Sequence, residues 1–178
     1  MVGTLDPTHR QASVLTAEEL CEAYAPKVCR FAALMSSGAE AEDLAQEALL
    51  RAVRSLGLYR PERGTVEAWL WRIVANAAKD SAGRRQRTLD LTTRLGIFAP
   101  RESESVEDAV LERLRDADLH AHLRRMRLRD RTLLALRFGA GLDTDEVGAA
   151  LGLNPDSAGK AIRRALARLR ARLEASQT

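Results

Sequence analysis

The feature that most constrains this sequence is a short, heavily punctuated stretch near its C-terminus. Asp143 is a good helix N-cap, and Val147, Ala150 and Leu151 follow it at helical spacing. Gly152 can adopt the left-handed conformation that ends a helix. Leu153 anchors the turn. Asn154 then caps the next segment, and Pro155 stands at its first position, where a missing N–H costs nothing. The spacing predicts a helix over 144–151, a tight turn, and a second helix from 155 to about Arg172. This is the helix-turn-helix arrangement, whose second helix can enter a DNA major groove. That second helix carries Lys160, Arg163, Arg164, Arg168, Arg170 and Arg172 against Asp156. Ala161, Ile162, Ala165, Leu166 and Leu169 form its packing face. An ordinary helical hairpin with a solvated basic face is the plainer alternative.

The rest of the chain also reads as helix, so the expected fold class is all-α. Alternating β-branched runs are absent, and Ala, Leu, Arg and Glu dominate, all good helix formers. Leu20, Tyr24, Val28, Phe31 and Met35 mark a first helix over 16–35. Ser37, three residues before Glu40, has the capping-box spacing and opens a second helix, which stops near Gly57. Tyr59, Arg60, Pro61, Glu62, Arg63, Gly64 and Thr65 form a loop, and Thr65 caps a third helix over 66–87. There Val66, Trp69, Leu70, Ile73 and Ala77 share the apolar face, while Arg72, Ala75, Asn76 and Lys79 lie opposite. On this reading Trp69 is core, and Trp71 is the better candidate for exposure. Gly96, Pro100 and the Glu/Ser-rich stretch 101–108 read as a linker. Beyond it, Leu119, Leu123 and Met126 suggest one helix. Leu133, Leu134, Leu136 and Phe138 suggest another, ended by Gly139-Ala140-Gly141. The expected organisation is a flexible N-terminal arm over 1–15, a helical domain over 16–87, a flexible linker over 88–108 and a second helical domain over 109–178. At 178 residues the chain has room for two small domains.

Charge is unevenly placed. The net charge is only +3, and Lys27, Lys79 and Lys160 are the only lysines among 28 basic residues. Arginine forks match phosphates and base edges well, although a GC-rich coding sequence also enriches arginine. Over 60–87 seven basic residues face three acidic ones, with Trp69, Trp71 and Tyr59 nearby. Aromatics among basic residues suit unstacked bases. Over 18–47 the balance reverses, with seven acidic residues against Lys27 and Arg30. An acidic helix beside a basic one suggests a protein partner on one side and nucleic acid on the other.

No enzyme site is expected, and no cofactor or metal. His9, His120, His122, Cys21 and Cys29 lack metal-ligand spacing, and no phosphate loop or nucleophile elbow occurs. The two cysteines are eight apart on one helix, too far to bridge each other, and read as buried small residues. No stretch matches a membrane span or a signal peptide, so an intracellular, cytoplasmic protein is the expectation.

Three segments in order resemble bacterial RNA polymerase sigma factors of the extracytoplasmic-function (ECF) type. Residues 41–52 resemble the family's AEDLVQEVFLRAW segment, residues 68–76 its AWLFRIARN segment, and residues 141–153 its GLSYEEIAEILGI segment. The resemblance implies a region 2-like helical bundle and a region 4-like helix-turn-helix domain. By that resemblance Glu42, Asp43, Leu44, Gln46 and Glu47 would grip the β′ clamp helices of core RNA polymerase. Arg60, Gly64, Thr65, Val66, Trp71, Arg72, Asn76 and Lys79 would read the −10 promoter element, with the loop 59–66 holding a flipped-out base. Asn154, Ser157, Lys160, Ala161, Arg163, Arg164 and Arg168 would read the −35 element. It further implies contact with the β flap, binding of promoter DNA as duplex and single strand, and an anti-sigma partner. The chain departs from the family where Arg127 follows Met126 in place of the usual Leu-Pro pair. Its recognition helix carries Gly159 and Ala161 where the family's GTVKSRLHRA has Lys and Arg. A conventional helix-turn-helix regulator or a sigma-like interaction module remains an alternative.

Overall fold

The computed structural model describes residues 15–94 and 119–176. The N-terminal arm up to residue 14, and the linker with Gly96, Pro100 and the 101–108 stretch, lie outside the described residues. All regular elements among the described residues are helical. They are α1 (Ala17–Met35), α2 (Ala39–Ser55), α3 (Val66–Arg94), α4 (119–124), α5 (Leu128–Leu134), α6 (Thr144–Leu151) and α7 (Pro155–Ala175). Two single 3₁₀ turns, Leu56–Leu58 and Pro61–Arg63, shape the loop before α3. A π-helical turn, Ala135–Gly139, continues α5.

The caps are where local chemistry demands them. Thr16 and Glu19 form a reciprocal capping box at α1, as do Asp143 and Glu146 at α6. The Asn154 Oδ1 accepts from the Ser157 amide at 2.8 Å, with Pro155 at the first helical position of α7. Gly152 closes α6 at φ 67°. Thr65 accepts from the Ala68 amide at 3.2 Å. Ser37 is not the cap of α2: Gly38 occupies that position with φ 53° and no side-chain cap. The Ser37 Oγ instead accepts from Arg124 Nη1 at 2.7 Å, tying α2's entry to α4. The α3 helix runs to Arg94, well past residue 87, because nothing between Thr88 and Arg94 breaks it.

Within the helix-turn-helix the turn is drawn tight by backbone contact. The Leu153 amide donates to Gly148 O at 2.8 Å. A Cβ on Gly148 would lie 2.8 Å from Leu153 O, so only glycine admits this approach. Gly159 is different, since its Cβ would meet only Thr144 Cγ2 at 3.6 Å and Arg163 Nη1 at 3.7 Å. There is room for a methyl group in ordinary contact. Gly159→Ala should therefore stabilise the chain by about 1 kcal/mol, from helix propensity alone. That corresponds to a rise in Tm of about 2–4 °C for a chain of this size. A scanning-calorimetry Tm that stays level or falls would refute it.

The core is built from α1, α2 and α3, with α5, its π-helical turn and α6 packed against them in one contiguous cluster. Leu20, Val28, Phe31, Leu70, Val74, Leu136 and Val147 are wholly inaccessible. A smaller cluster of Leu123, Met126, Leu134 and Ala165 joins α4, α5 and α7. Several apolar residues depart from the sequence expectation. Phe138, on the π-helical turn, is exposed rather than packed, with its ring 6.0 Å from the Arg137 guanidinium. Leu166 is exposed beyond the packing face of α7, whose buried positions are Ala158, Ile162 and Ala165. Cys29 is exposed, and Cys21 is half-buried.

Candidate functional site

Three surfaces carry the sequence-predicted residues. On α2, Glu42, Asp43 and Gln46 are exposed on successive turns, beside the exposed Leu50. Asp43, Gln46, Glu47 and Leu50 rim a depression of about 280 Å³ that also reaches Ser81 and Arg84 of α3. Leu44 lines the depression but is no part of its exposed rim. It is 4 % exposed and sits in the core, because its face of α2 meets α1 and α3. Glu47 is held by Arg51, whose Nε donates to it at 2.7 Å and whose Nη1 donates to Asp80 at 2.6 Å. The two carboxylates raise the Arg51 pKa, with Asp80 the larger cause. Arg51 in turn holds the Asp80 carboxyl below the usual carboxylate range. The network pins α2 to α3 along the acidic edge.

The second surface is the loop before α3 and the first turns of that helix. Leu58, Tyr59, Arg60, Arg63, Gly64, Thr65, Ala68, Trp69 and Arg72 line a pocket of about 190 Å³. The Tyr59 and Trp69 rings lie 5.4 Å apart at 48° and form one wall. The Tyr59 hydroxyl donates to Gly64 O at 3.1 Å, and Gly64 takes φ 138° to close the loop. Arg60 donates to the Gly57 and Tyr59 carbonyls at 3.0 and 3.1 Å, so its guanidinium braces the loop. Val66 is half-buried. Arg72, Asn76 and Lys79 recur down one exposed stripe of α3, about one per turn. Arg72 is also engaged, donating from Nη2 to Ala149 O of α6 at 3.1 Å. Behind the loop, Tyr24 donates to Glu67 Oε1 at 2.5 Å. Burial first, and then this carboxylate, push the Tyr24 pKa upward.

The tryptophans exchange the places the sequence suggested. Trp71 is 1 % exposed, packed with its ring centroid 6.0 Å from that of Phe31. In this arrangement it is closed off from solvent. Trp69 is the half-buried one, standing in the pocket wall. The buried arc of α3 runs through Leu70, Trp71, Val74, Ala75, Ala77 and Ala78, turned roughly 100° from the expected face, or one residue step. Leu58, exposed at the pocket mouth, is a further lining residue that sequence reasoning did not single out. Its place in a Leu-Gly-Leu turn just ahead of an aromatic and an arginine was the available signal.

The third surface is α7. Ser157, Lys160, Arg163 and Arg164 are exposed on its N-terminal half. Lys160 lies 3.3 Å from Asp156. Asn154 spends its side chain on the cap, and Ala161 is half-buried. Arg168 is drawn away from this group. Its Nη1 donates to both carboxylate oxygens of the buried Asp130 at 2.9 Å, tying α7 to α5. Between the halves lies a cleft of about 590 Å³, reached by Lys79, Arg85, Arg124 and Arg131. Burial, and then Arg85 and Arg124, hold the Arg131 guanidinium below its usual pKa. Among the described residues no group of His, Cys, Asp and Glu could hold a metal ion. No described helix is long and apolar enough to cross a membrane.

Comparison with known proteins places this arrangement. The sigma-70 region 2 family model matches residues 20–88. The ECF RNA polymerase sigma factor SigE of Mycolicibacterium smegmatis is 33 % identical over 170 residues, which is 94 % of this chain and 65 % of that protein. The ECF RNA polymerase sigma factor BldN of Streptomyces coelicolor is 33 % identical over 136 residues, covering 76 % of this chain and 52 % of its own length. The RNA polymerase sigma factor CarQ of Myxococcus xanthus is 34 % identical over 146 residues, covering 79 % of each chain. The chain thus spans 65 % and 52 % of the lengths of SigE and BldN. Among solved structures, CnrH in complex with the cytosolic domain of CnrY aligns with a TM-score of 0.65 at 22 % identity, covering 89 % of this chain and 88 % of that one. RpoE in complex with the anti-sigma factor NepR, from Bartonella quintana, aligns at 0.63 with 21 % identity, covering 88 % and 96 %. The fold is the two-part, all-α fold of the sigma factors. The chain belongs to the ECF family of sigma-70-type RNA polymerase sigma factors.

Proposed function

We propose that this chain is a promoter-specificity subunit of RNA polymerase, with no catalytic activity of its own, acting in the cytoplasm. The acidic face of α2, with Glu42, Asp43, Gln46 and Glu47, docks on the β′ clamp helices of core polymerase. The pocket before α3 takes one extruded base of the −10 element, stacked against Trp69. Gly64 and Thr65 hold the loop's shape, and Arg72, Asn76 and Lys79 follow the strand. Ser157, Lys160, Arg163 and Arg164 of α7 read the −35 duplex in the major groove, and the C-terminal half contacts the β flap. An anti-sigma factor is its regulatory partner. The carrying observation is the pairing, in one chain, of an aromatic-walled, arginine-rimmed pocket too small for a base pair with a basic helix-turn-helix. Promoter opening needs both, because extruding a base costs a few kcal/mol that a shaped pocket must offset.

The test adds the purified chain to bacterial core polymerase on a genomic template and sequences the transcripts. New discrete start sites, absent with core alone, are expected. Neither core binding nor initiation would shift the reading to a stand-alone helix-turn-helix regulator. Core binding without initiation would point to a defective or regulatory sigma-like protein, and binding another protein but not core would favour a sigma-like interaction module.

Two substitutions resolve the surfaces. Asp43→Ala with Glu47→Ala removes two rim charges, each worth about 0.2–1 kcal/mol, so core affinity should fall roughly 2- to 30-fold. The fold should persist, since Arg51 keeps its bond to Asp80. Undiminished affinity in a pull-down titration would move the clamp contact elsewhere. Replacing Arg163 and Arg164 with alanine should flatten the log–log salt dependence of duplex binding by about two, roughly 0.9 per lost phosphate contact. A slope equal to the wild type would remove both from the phosphate-contacting set.

A further inference from the structure

The cleft lined by α3, α4 and α5 holds an unbalanced charge. Its volume is about 590 Å³, inside the range of about 300–1,000 Å³ that small-molecule sites occupy. Arg85 of α3, Arg124 of α4 and Arg131 of α5 all reach it, so three separate elements bring a guanidinium to one space. None of the three belongs to the surfaces assigned above to polymerase or promoter.

Arg131 is the anomaly. It is only 9 % exposed, and arginine is almost never buried this far unless it is paired. A guanidinium carries five N–H donors. Here Nη1 makes one long bond, to Arg124 O at 3.4 Å, and Nε is buried with no partner among the described residues. Burial first, and then Arg85 and Arg124, oppose its charge. Glu40 favours it, but Glu40 is already held by Arg85 at 2.9 Å. Packing does not account for an arginine here, since a methionine would fill similar space without burying a charge. A cation buried this way is costly unless an anion meets it.

The charge and the lining say which anion. Three guanidiniums against the one carboxylate of Glu40 leave two positive charges, and a phosphate monoester carries about −1.5 to −2 at neutral pH. Guanidinium forks also match phosphate oxygens in pairs. Beside the arginines, Met35, Leu44, Met126 and Leu128 supply an apolar lining that an inorganic ion would leave unused. A nucleic-acid backbone fits less well. It offers one charge per phosphodiester, and Arg131 lies too deep for a strand resting on the surface.

We infer that this cleft is a binding site for a small phosphorylated molecule of nucleoside-diphosphate size. Its phosphates take Arg85, Arg124 and Arg131, and its organic body lies against the Met35, Leu44, Met126 and Leu128 side chains.

Isothermal titration calorimetry on the full chain, at fixed ionic strength, tests the site with inorganic pyrophosphate, ADP and GDP. One equivalent of pyrophosphate should bind, and at least one of the nucleotides should bind more tightly. Arg131→Met removes the buried charge and keeps the side-chain length. It should weaken binding by about thirtyfold or more, the loss on truncating one partner of a buried charge pair. Without ligand it should melt no lower than the wild type, because the uncompensated cation is gone. Arg85→Ala, at an exposed position, should weaken binding about two- to fivefold, as for a solvent-exposed ion pair, and keeps the test open if Arg131→Met fails to fold. Replacing Arg163 and Arg164 of α7 with alanine should leave pyrophosphate binding unchanged. Binding of none of the three probes would overturn the site. So would binding that survives Arg131→Met and Arg85→Ala but falls with the α7 pair, which would place the anion on the exposed basic helix. Pyrophosphate binding through Arg131 with both nucleotides excluded would overturn the organic ligand and leave an inorganic-anion site. Displacement of pyrophosphate by a single-stranded oligonucleotide whose own binding needs Arg131 would make the cleft a backbone contact instead.

Discussion

Trp71→Ala should cost about 3–5 kcal/mol of stability, the range for truncating a large aromatic side chain in a packed core. Few substitutions in this chain should do more. Trp71 is among the largest fully buried side chains and packs near Phe31 where α1 meets α3. Neither helix can close the resulting space, because α2 already occupies one flank of that core and α6 another. A small domain has a net stability of only about 5–15 kcal/mol, so the variant should melt well below the wild type or fail to accumulate. Trp71→Phe supplies the internal control. The indole Nε1 is buried without a hydrogen-bond partner among the described residues, so losing it forfeits no bond and removes a buried donor's desolvation cost. Phenylalanine should therefore recover most of the loss. Thermal and urea melts of the three proteins decide it. An alanine variant melting with the wild type would mean that the indole is not core.

Trp69→Ala, two residues away, should do the reverse. Stacking a base on an aromatic ring is worth about 1–3 kcal/mol by alanine substitution, so single-strand binding should weaken roughly 5- to 150-fold. Stability should change little, because Trp69 is only half-buried and its ring leans on Tyr59 at the pocket wall. Duplex binding through α7 should be untouched. Anisotropy titrations with single-stranded and duplex probes separate the two modes, and permanganate footprinting of the melted region reports opening in the polymerase complex. Equal loss on both probes would show that Trp69 acts through the fold rather than by stacking.

The helix-turn-helix was legible residue by residue. Asp143, Gly152, Asn154 and Pro155 all do what their types dictate, because a cap or a left-handed turn is satisfied within three or four residues of itself. The loop at 59–65 and the Thr65 cap were legible for the same reason. The acidic face of α2 was legible as a face, but not in its membership. Leu44 fell within the matched segment and proved to be core, since a family segment names a stretch of helix and not which side of it is free. Arg168 was grouped by resemblance with the −35-reading residues, and a buried Asp130 thirty-eight residues earlier claims it. Pairings at that separation leave no periodic trace.

Local signals in the sequence by themselves determined the helical class, the caps, the turn, the loop before α3 and the division of charge between α2, α3 and α7. Tertiary structure alone decided which tryptophan is core and which faces the pocket. The physical reason lies in α3. A helix covered on one side buries a single stripe, and its hydrophobic period finds that stripe. The α3 helix is covered by α1 and α2 on one side and by α6 on another. Its buried arc widens toward α6, far along the sequence, which takes in Trp71 and leaves Trp69 at the rim.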